Sequence, residues 1–352
     1  MGQDRASAGL SGPLAATPIT LALQGGGAHG AFTWGALDRL LEEPQLSIVG
    51  ISGTSAGAIN GALLAQGLRK GGAAGARAEL AAFWRRMSDL GAAAFNPYRT
   101  TPYQALNRSW NLDWSPAALW LDVMAQFVSP YQLNPLDHNP LREVLRESLD
   151  FDQLRAKDAV PLFVCATSLT TNRMRVFTNE DVSLEALLAS ACLPQLHRAV
   201  EIDGEYYWDG GFIGNPVLKP LLHLGTAQDL VLIQLNPTRR AELPISARDI
   251  LDRLNEVTMN AALMRELDGI AVINRLIEAG QLKHPRYVVI RLHGIANPLV
   301  MAGLGLRSKN NTAWPFLTYL RDAGRAAADA WLGEHGPALG RSSTLDLAQF
   351  AL

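Results

Sequence analysis

The chain has 352 residues, room for one large α/β domain or two small ones, and its 48% hydrophobic and 18% charged residues exclude wholesale disorder. Its 31 basic and 33 acidic residues leave a formal net charge of −2, which excludes a nucleic-acid partner held by bulk charge. Two cysteines, Cys165 and Cys192, are too few for a disulfide framework or a zinc cluster and fit a reducing compartment.

Residues 1–17 are small, polar and Pro/Gly-containing. They read as a flexible segment without the basic start and apolar centre of a secretory signal. Ile19 to Leu23 is the first predicted strand, ending at the cluster Gly25-Gly26-Gly27-Ala28-His29-Gly30. A helical pattern follows from Ala31 to Leu41, stopped by Pro44. Ser47 to Ile51 is a second strand that runs into Gly53-Thr54-Ser55-Ala56-Gly57 and then a small-residue helix to about Leu68. Ile48 to Leu68 is uncharged and long enough to span a bilayer, but Ser52, Thr54, Ser55, Asn60 and Gln66 fit a buried strand–turn–helix better. The expectation is a soluble, cytoplasmic protein.

Strand, glycine turn and helix thus occur twice within seventy residues, the opening of a mostly parallel α/β sheet. Gly71 to Ala78 reads as a linker or as the start of a helix over Glu79 to Met87. Residues 95–140 are rich in Pro, Asn and aromatics, among them Trp110, Trp114, Trp120, Phe127 and Tyr131. They form an insertion, either a cap over an acyl pocket or a packed subdomain.

Further predicted elements are a helix Leu141–Leu149, strands Pro161–Thr167 and Met174–Thr178, and a helix Leu184–Cys192. A hairpin over Val200–Trp208 turns at Asp203-Gly204, and Asp229–Leu235 is a continuous apolar strand central to a sheet. Beyond Pro244, Ile250, Leu254, Val257, Ala261, Met264 and Leu267 recur at helical spacing. Tyr287–Leu292 is a last strand, and Pro315–Leu332 a C-terminal helix with Gly333 beyond its end.

Three groups of residues carry chemistry. Gly53 to Gly57 fits G-x-S-x-G, where flanking glycines allow a tight turn that lifts Ser55 out of the sheet at a helix N-terminus. The Gly25–Gly30 loop reads as a packing turn, as a dinucleotide fingerprint, or as an oxyanion hole. A dinucleotide site needs an acid at the end of the second strand, and none stands there. Asp209, followed by Gly210 and Gly211, is the candidate base for Ser55, its plain alternative being a turn. The usual order of an α/β-hydrolase would instead nominate His223 or His293, and neither sits in a recognisable motif.

These residues together resemble the patatin-like phospholipase family, as do Ala189 to Pro194 and Asn215-Pro216, over about Pro18 to Pro220. The resemblance implies a three-layer α/β/α sandwich with a mostly parallel central sheet, here followed by a helical C-terminal extension. The chain as a whole reads as one catalytic domain over 18–243, with a mainly helical extension over 244–352 packed on the same domain. The resemblance implies a serine hydrolase of lipid esters with Ser55 as nucleophile and Asp209 as base, and no metal or cofactor. Gly25, Gly26, Gly27 and Ala56 would form the oxyanion hole, with His29, Gly53, Gly57 and Gly210 in support. The implied partner is a lipid or acyl-ester substrate, with peripheral contact at a membrane, lipid-droplet or granule surface. Many members carry Arg or Lys where this chain has His29, which could serve the oxyanion region only if protonated. His197 stands where a phenylalanine is common. A catalytically silent scaffold that binds lipid or a partner is the alternative.

Overall fold

The computed structural model describes residues 16–93, 110, 127–240, 242–285 and 287–346. The expectations for the first fifteen residues and for most of the aromatic insertion, Trp114 and Trp120 included, lie outside these described residues.

Strand β1 (Thr17–Leu23) leads through the glycine loop into α1 (Gly30–Leu40), and β2 (Leu46–Thr54) passes through Ser55 into α2 (Ala56–Ala93). Short helices α3 (Pro130–Leu133), α4 (Pro140–Ser148) and α5 (Phe151–Arg155) precede β3 (Leu162–Ser168) and β4 (Met174–Phe177). Helix α6 (Leu184–Ser190) is followed by the hairpin β5 (Val200–Ile202) and β6 (Glu205–Asp209). Then come α7 (Lys219–Leu224), β7 (Asp229–Ile233), α8 (Ala247–Glu278), β8 (Arg291–Ile295), α9 (Pro298–Ala302) and α10 (Trp314–His335).

One mixed, mostly parallel sheet runs in the order β5-β6-β3-β2-β1-β7-β8, with β4 also paired to β3. The pairs β1–β2, β1–β7, β2–β3 and β7–β8 are parallel, while β3–β4, β3–β6 and β5–β6 are antiparallel. Successive side chains of a strand point to opposite faces. Leu21 and Leu23 of β1 with Val231 and Ile233 of β7 therefore join the core under α1, α2, α6 and α10. Ala22, Leu230 and Leu232 face the other way, into a second core with Leu221 of α7 and Leu263, Leu267 and Ile270 of α8. Both faces are covered, which is why β7 reads as an unbroken apolar run. This is the expected sandwich with its helical C-terminal part.

Helices α1 and α10 pack backbone to backbone through two glycines. A Cβ on Gly35 would overlap the Arg321 carbonyl, and one on Gly324 the Phe32 carbonyl. Helix α10 runs through Gly333 to His335 instead of stopping before it. A mid-helix glycine costs about 1 kcal/mol, less than the packing of Phe316, Leu317, Leu320 and Trp331 returns.

Other boundaries differ for equally local reasons. Residues 73–78 continue α2, and the supposed linker shrinks to a kink at Gly71 and Gly72, whose φ is +59°. The last strand lies at Arg291–Ile295 instead of Tyr287–Leu292, where it pairs in parallel with Asp229–Ile233 of β7 and His293 meets Asp229 and Thr344. Helix α8 forms as expected, but Ile250, Leu254 and Val257 in its first half are exposed, while Glu256 and Asn260 are buried. That polar face is used to hold the loops described below. Trp110 packs on Phe316 and Tyr319 of α10, with ring centroids 5.3 and 5.8 Å apart. No described helix is long and apolar enough to cross a membrane.

Candidate active site

Ser55 sits alone between the last residue of β2 and the first of α2, with φ at +54°. A non-glycine residue rarely adopts this conformation, and the surroundings must hold it there. Gly57 permits the turn, since a Cβ there would overlap the Leu23 carbonyl. The Ser55 N–H donates to Ser190 Oγ at 2.9 Å, and Thr54 Oγ1 donates to the Gly214 carbonyl at 2.7 Å. The strained residue is thereby tied to α6 on one side and to the segment after Asp209 on the other.

Sheet register brings Asp209 to the same place. Thr54 of β2 lies beside Cys165 of β3, and the next residue, Ala166, lies beside Asp209 of β6. The Asp209 N–H donates to the Cys192 carbonyl at 2.8 Å, and its carbonyl accepts from Thr167 Oγ1 at 2.8 Å. The carboxylate accepts the Gly211 N–H at 2.7 Å as the cap of the 3-10 turn Gly210–Phe212, and the Ser55 hydroxyl lies near enough to favour its ionised form. Burial pushes the Asp209 pKa up to about 6, against the opposing pull of the Gly211 N–H, the Ser55 hydroxyl and the Lys309 charge.

The glycine loop abuts this pair. A Cβ on Gly25 would stand 2.6 Å from the Thr54 carbonyl oxygen and 2.8 Å from the Ser55 Cβ. Only a glycine lets the loop come so near the serine. The N–H groups of Gly26 and Gly27 head the 3-10 turn Gly27–His29, and that of Ala56 heads α2, positions that have no intrahelical acceptor. One expectation needs correction: the Gly25 N–H is engaged by Asn215 Oδ1 at 2.6 Å, so Gly25 supplies closeness and a carbonyl rather than a donor.

A buried amide network fixes the loop. Gln24 Oε1 accepts the N–H groups of Leu235 and Asn236 at 2.7 and 2.8 Å, and its Nε2 donates to Asn260 Oδ1 of α8 at 2.8 Å. Asn236 Nδ2 donates to the Gly25 carbonyl at 3.2 Å. Ser190 and Asn215 fall within motifs visible in the sequence. Asn236, Asn260 and Lys309 carry no pattern that could have singled them out.

His29 is buried. Its Nε2 lies 2.7 Å from Ser308 Oγ, whose own proton goes to the Gly305 carbonyl at 2.7 Å, so the imidazole donates from Nε2. Burial, reinforced by the nearby Lys309 charge, lowers its pKa to about 3. At neutral pH His29 is an uncharged prop for the loop, and the protonated role does not arise. Burial likewise lowers the pKa of His197.

The two other histidines weighed as bases are elsewhere. His293 bonds Asp229 Oδ1 at 2.9 Å, a carboxylate that Arg291 also holds at 2.7 Å. His223 lines a cavity of about 610 Å³ with Thr17, Asp229 and Arg291, at the ends where β1, β7 and β8 begin. None of the candidate site residues lines that cavity.

A sequence profile of the patatin-like phospholipase family matches residues 21–222. No match was found among curated proteins. Among solved structures, VipD from Legionella pneumophila aligns over 88% of this chain and 67% of its own, at 17% identity and a TM-score of 0.37. The profile covers more than half of the chain, from the first strand past Asp209. The chain belongs to the patatin-like phospholipase family.

Proposed function

We propose that the protein hydrolyses lipid carboxylic esters by two-step acyl transfer, with Ser55 as nucleophile and Asp209 as its base. The observation that carries this is a buried carboxylate held beside the Ser55 hydroxyl, next to a glycine loop that heads a 3-10 turn and comes against the serine. A carboxylate at its usual pKa is a feeble base, and one raised to about 6 is better matched to a hydroxyl proton near neutral pH.

Asp209 takes the Ser55 proton as Oγ attacks the ester carbonyl. The amides of Gly26, Gly27 and Ala56 receive the tetrahedral oxyanion, and one such donor is worth about 3–4 kcal/mol. As the C–O bond breaks, the proton on Asp209 passes to the departing alcohol, leaving acyl-Ser55. Asp209 then deprotonates a water that attacks the acyl group, and the same proton returns to Ser55 as the carboxylic acid departs.

Family membership favours a lipid substrate, and the rim of the site suits an acyl chain. Phe212 directly follows Gly211, and Met174 reaches Gly214; both are partly exposed apolar side chains. An apolar rim also suits peripheral contact with a lipid surface. Turnover of a panel of phospholipid, lysophospholipid and neutral esters tests the proposal. Ser55→Ala is expected to abolish turnover and Asp209→Asn nearly so in folded protein. Wild-type turnover by either variant overturns it, and a folded wild type inert toward every ester favours the silent scaffold.

A further inference from the structure

We propose that Lys309 is a positioning residue for this acyl transfer, its ammonium acting through Asn236 to orient and polarise the peptide between Gly25 and Gly26. The proposal rests on the reading of Ser55 and Asp209 given above and adds to it a residue far beyond the span of the family profile.

Lys309 lies on the 3-10 turn Leu306–Asn310, which follows α9 and packs on the oxyanion loop. The packing is close: a Cβ on Gly27 would overlap the Lys309 carbonyl, and His29 donates to Ser308. The Lys309 Nζ donates to Asn236 Oδ1 at 2.9 Å and to Asn255 Oδ1 at 2.8 Å. Asn236 in turn donates from Nδ2 to the Gly25 carbonyl at 3.2 Å. Its backbone N–H and carbonyl are held by Gln24 and Asn260, which fixes the stem from which the carboxamide bridges Lys309 and Gly25.

The Gly25 carbonyl and the Gly26 N–H belong to one amide. A donor placed on the oxygen draws electron density from the nitrogen and makes its N–H a stronger donor, and a cation behind that donor strengthens it further. Lys309 → Asn236 → Gly25 is such a chain, and its far end is the amide that the proposed mechanism aims at the oxyanion. A lysine set on two neutral amides is costly as a packing residue, since burial disfavours its charge.

The charged groups around it are few. Glu256 and Asp252 face it from α8 and Asp209 from the end of β6, while His29 on the loop is uncharged. Glu256 is already paired with Arg240 at 2.6 Å and Arg253 at 3.1 Å. Burial lowers the Lys309 pKa to about 8 against the pull of Glu256, Asp252 and Asp209. The ammonium is therefore charged at neutral pH and discharges within an accessible range.

The test is kcat and KM of the full chain for p-nitrophenyl butyrate from pH 5 to 10, for wild type, K309R, K309M, N236L and K309M/N236L, with thermal melts of each. Removing a direct oxyanion donor costs about 100- to 1,000-fold in kcat. Lys309 acts at one remove, so K309M is expected to lower kcat about tenfold at pH 7 with KM within about twofold. Wild-type kcat should fall above pH 8, and K309R should carry activity past that limb because a guanidinium stays charged. K309M/N236L should be no worse than N236L alone. Wild-type kcat in K309M, an alkaline limb unmoved in K309R, or additive losses in the double variant would overturn the proposal. If K309M does not fold, the K309R profile decides. If wild-type turnover itself does not depend on Ser55, the dyad reading falls and this inference with it, an outcome distinct from Ser55-dependent turnover that ignores Lys309.

Discussion

Asp209→Asn should make the protein more stable at the expense of turnover, and the size of the gain follows from the burial of the carboxylate. Asp209 is 3% exposed, and its pKa rises from 3.8 to about 6. Between those values the folded state keeps a proton that the unfolded chain has lost, so stability falls as pH rises through the window. Each pKa unit is worth about 1.4 kcal/mol, which makes the ionised carboxylate cost about 3 kcal/mol at pH 8 and about half of that at pH 5. An asparagine keeps an oxygen for the Gly211 N–H but carries no charge to desolvate. Urea unfolding of wild type and D209N at pH 5 and pH 8 should therefore show a gain that grows with pH, to at most about 3 kcal/mol. D209N that is no more stable than wild type at pH 8, or whose gain is the same at both pH values, would refute the reasoning. The trade of stability for a poised base is a common cost of catalytic sites.

Three other outcomes follow from the structure. Wild-type kcat/KM for an ester should fall as pH drops through about 6, because protonated Asp209 cannot accept the Ser55 proton; a flat profile down to pH 5 would contradict this. At Asp229 burial pushes the pKa up, but the bonds from His293, Arg291 and the Gly340 N–H outweigh it and hold the carboxyl below its usual range. Its ionised form thus stabilises the fold above about pH 4 and loses that effect as pH falls, so D229N should cost about 3 kcal/mol at pH 7 by stranding Arg291, with ester turnover per folded molecule unchanged. Gly35→Ala should lower the urea midpoint by the equivalent of about 1–3 kcal/mol, since the new methyl group meets the Arg321 carbonyl; an unchanged midpoint would mean the helices do not pack this closely.

What could be read from the chain beforehand is what obeys local rules. The elbow around Ser55 announced itself because only small neighbours permit that turn, and Asp203-Gly204 marked the β5–β6 hairpin because both residues take positive φ, +53° and +80°. The apolar run of β7 disclosed a strand covered on both faces. What stayed hidden depends on contacts between distant positions. Gln24 meets Asn260 across 236 residues, and His29 meets Ser308 across 279. No periodicity marks a single asparagine or lysine that will end beneath a loop. The inward face of the first half of α8 was hidden for the same reason: Glu256 and Asn260 turn inward to hold other side chains, and Ile250 and Leu254 are left exposed. The loss of the Gly25 N–H to Asn215 was equally invisible, because a glycine motif says where amides gather and not which of them are already taken.

The most direct measurement is labelling of the purified chain with a fluorophosphonate, followed by mass mapping of the modified peptide. One adduct per chain on Ser55, absent from S55A and formed far more slowly by D209N, is the result expected of a serine activated by that carboxylate. No adduct on folded wild type, or labelling that persists undiminished in S55A, would contradict it.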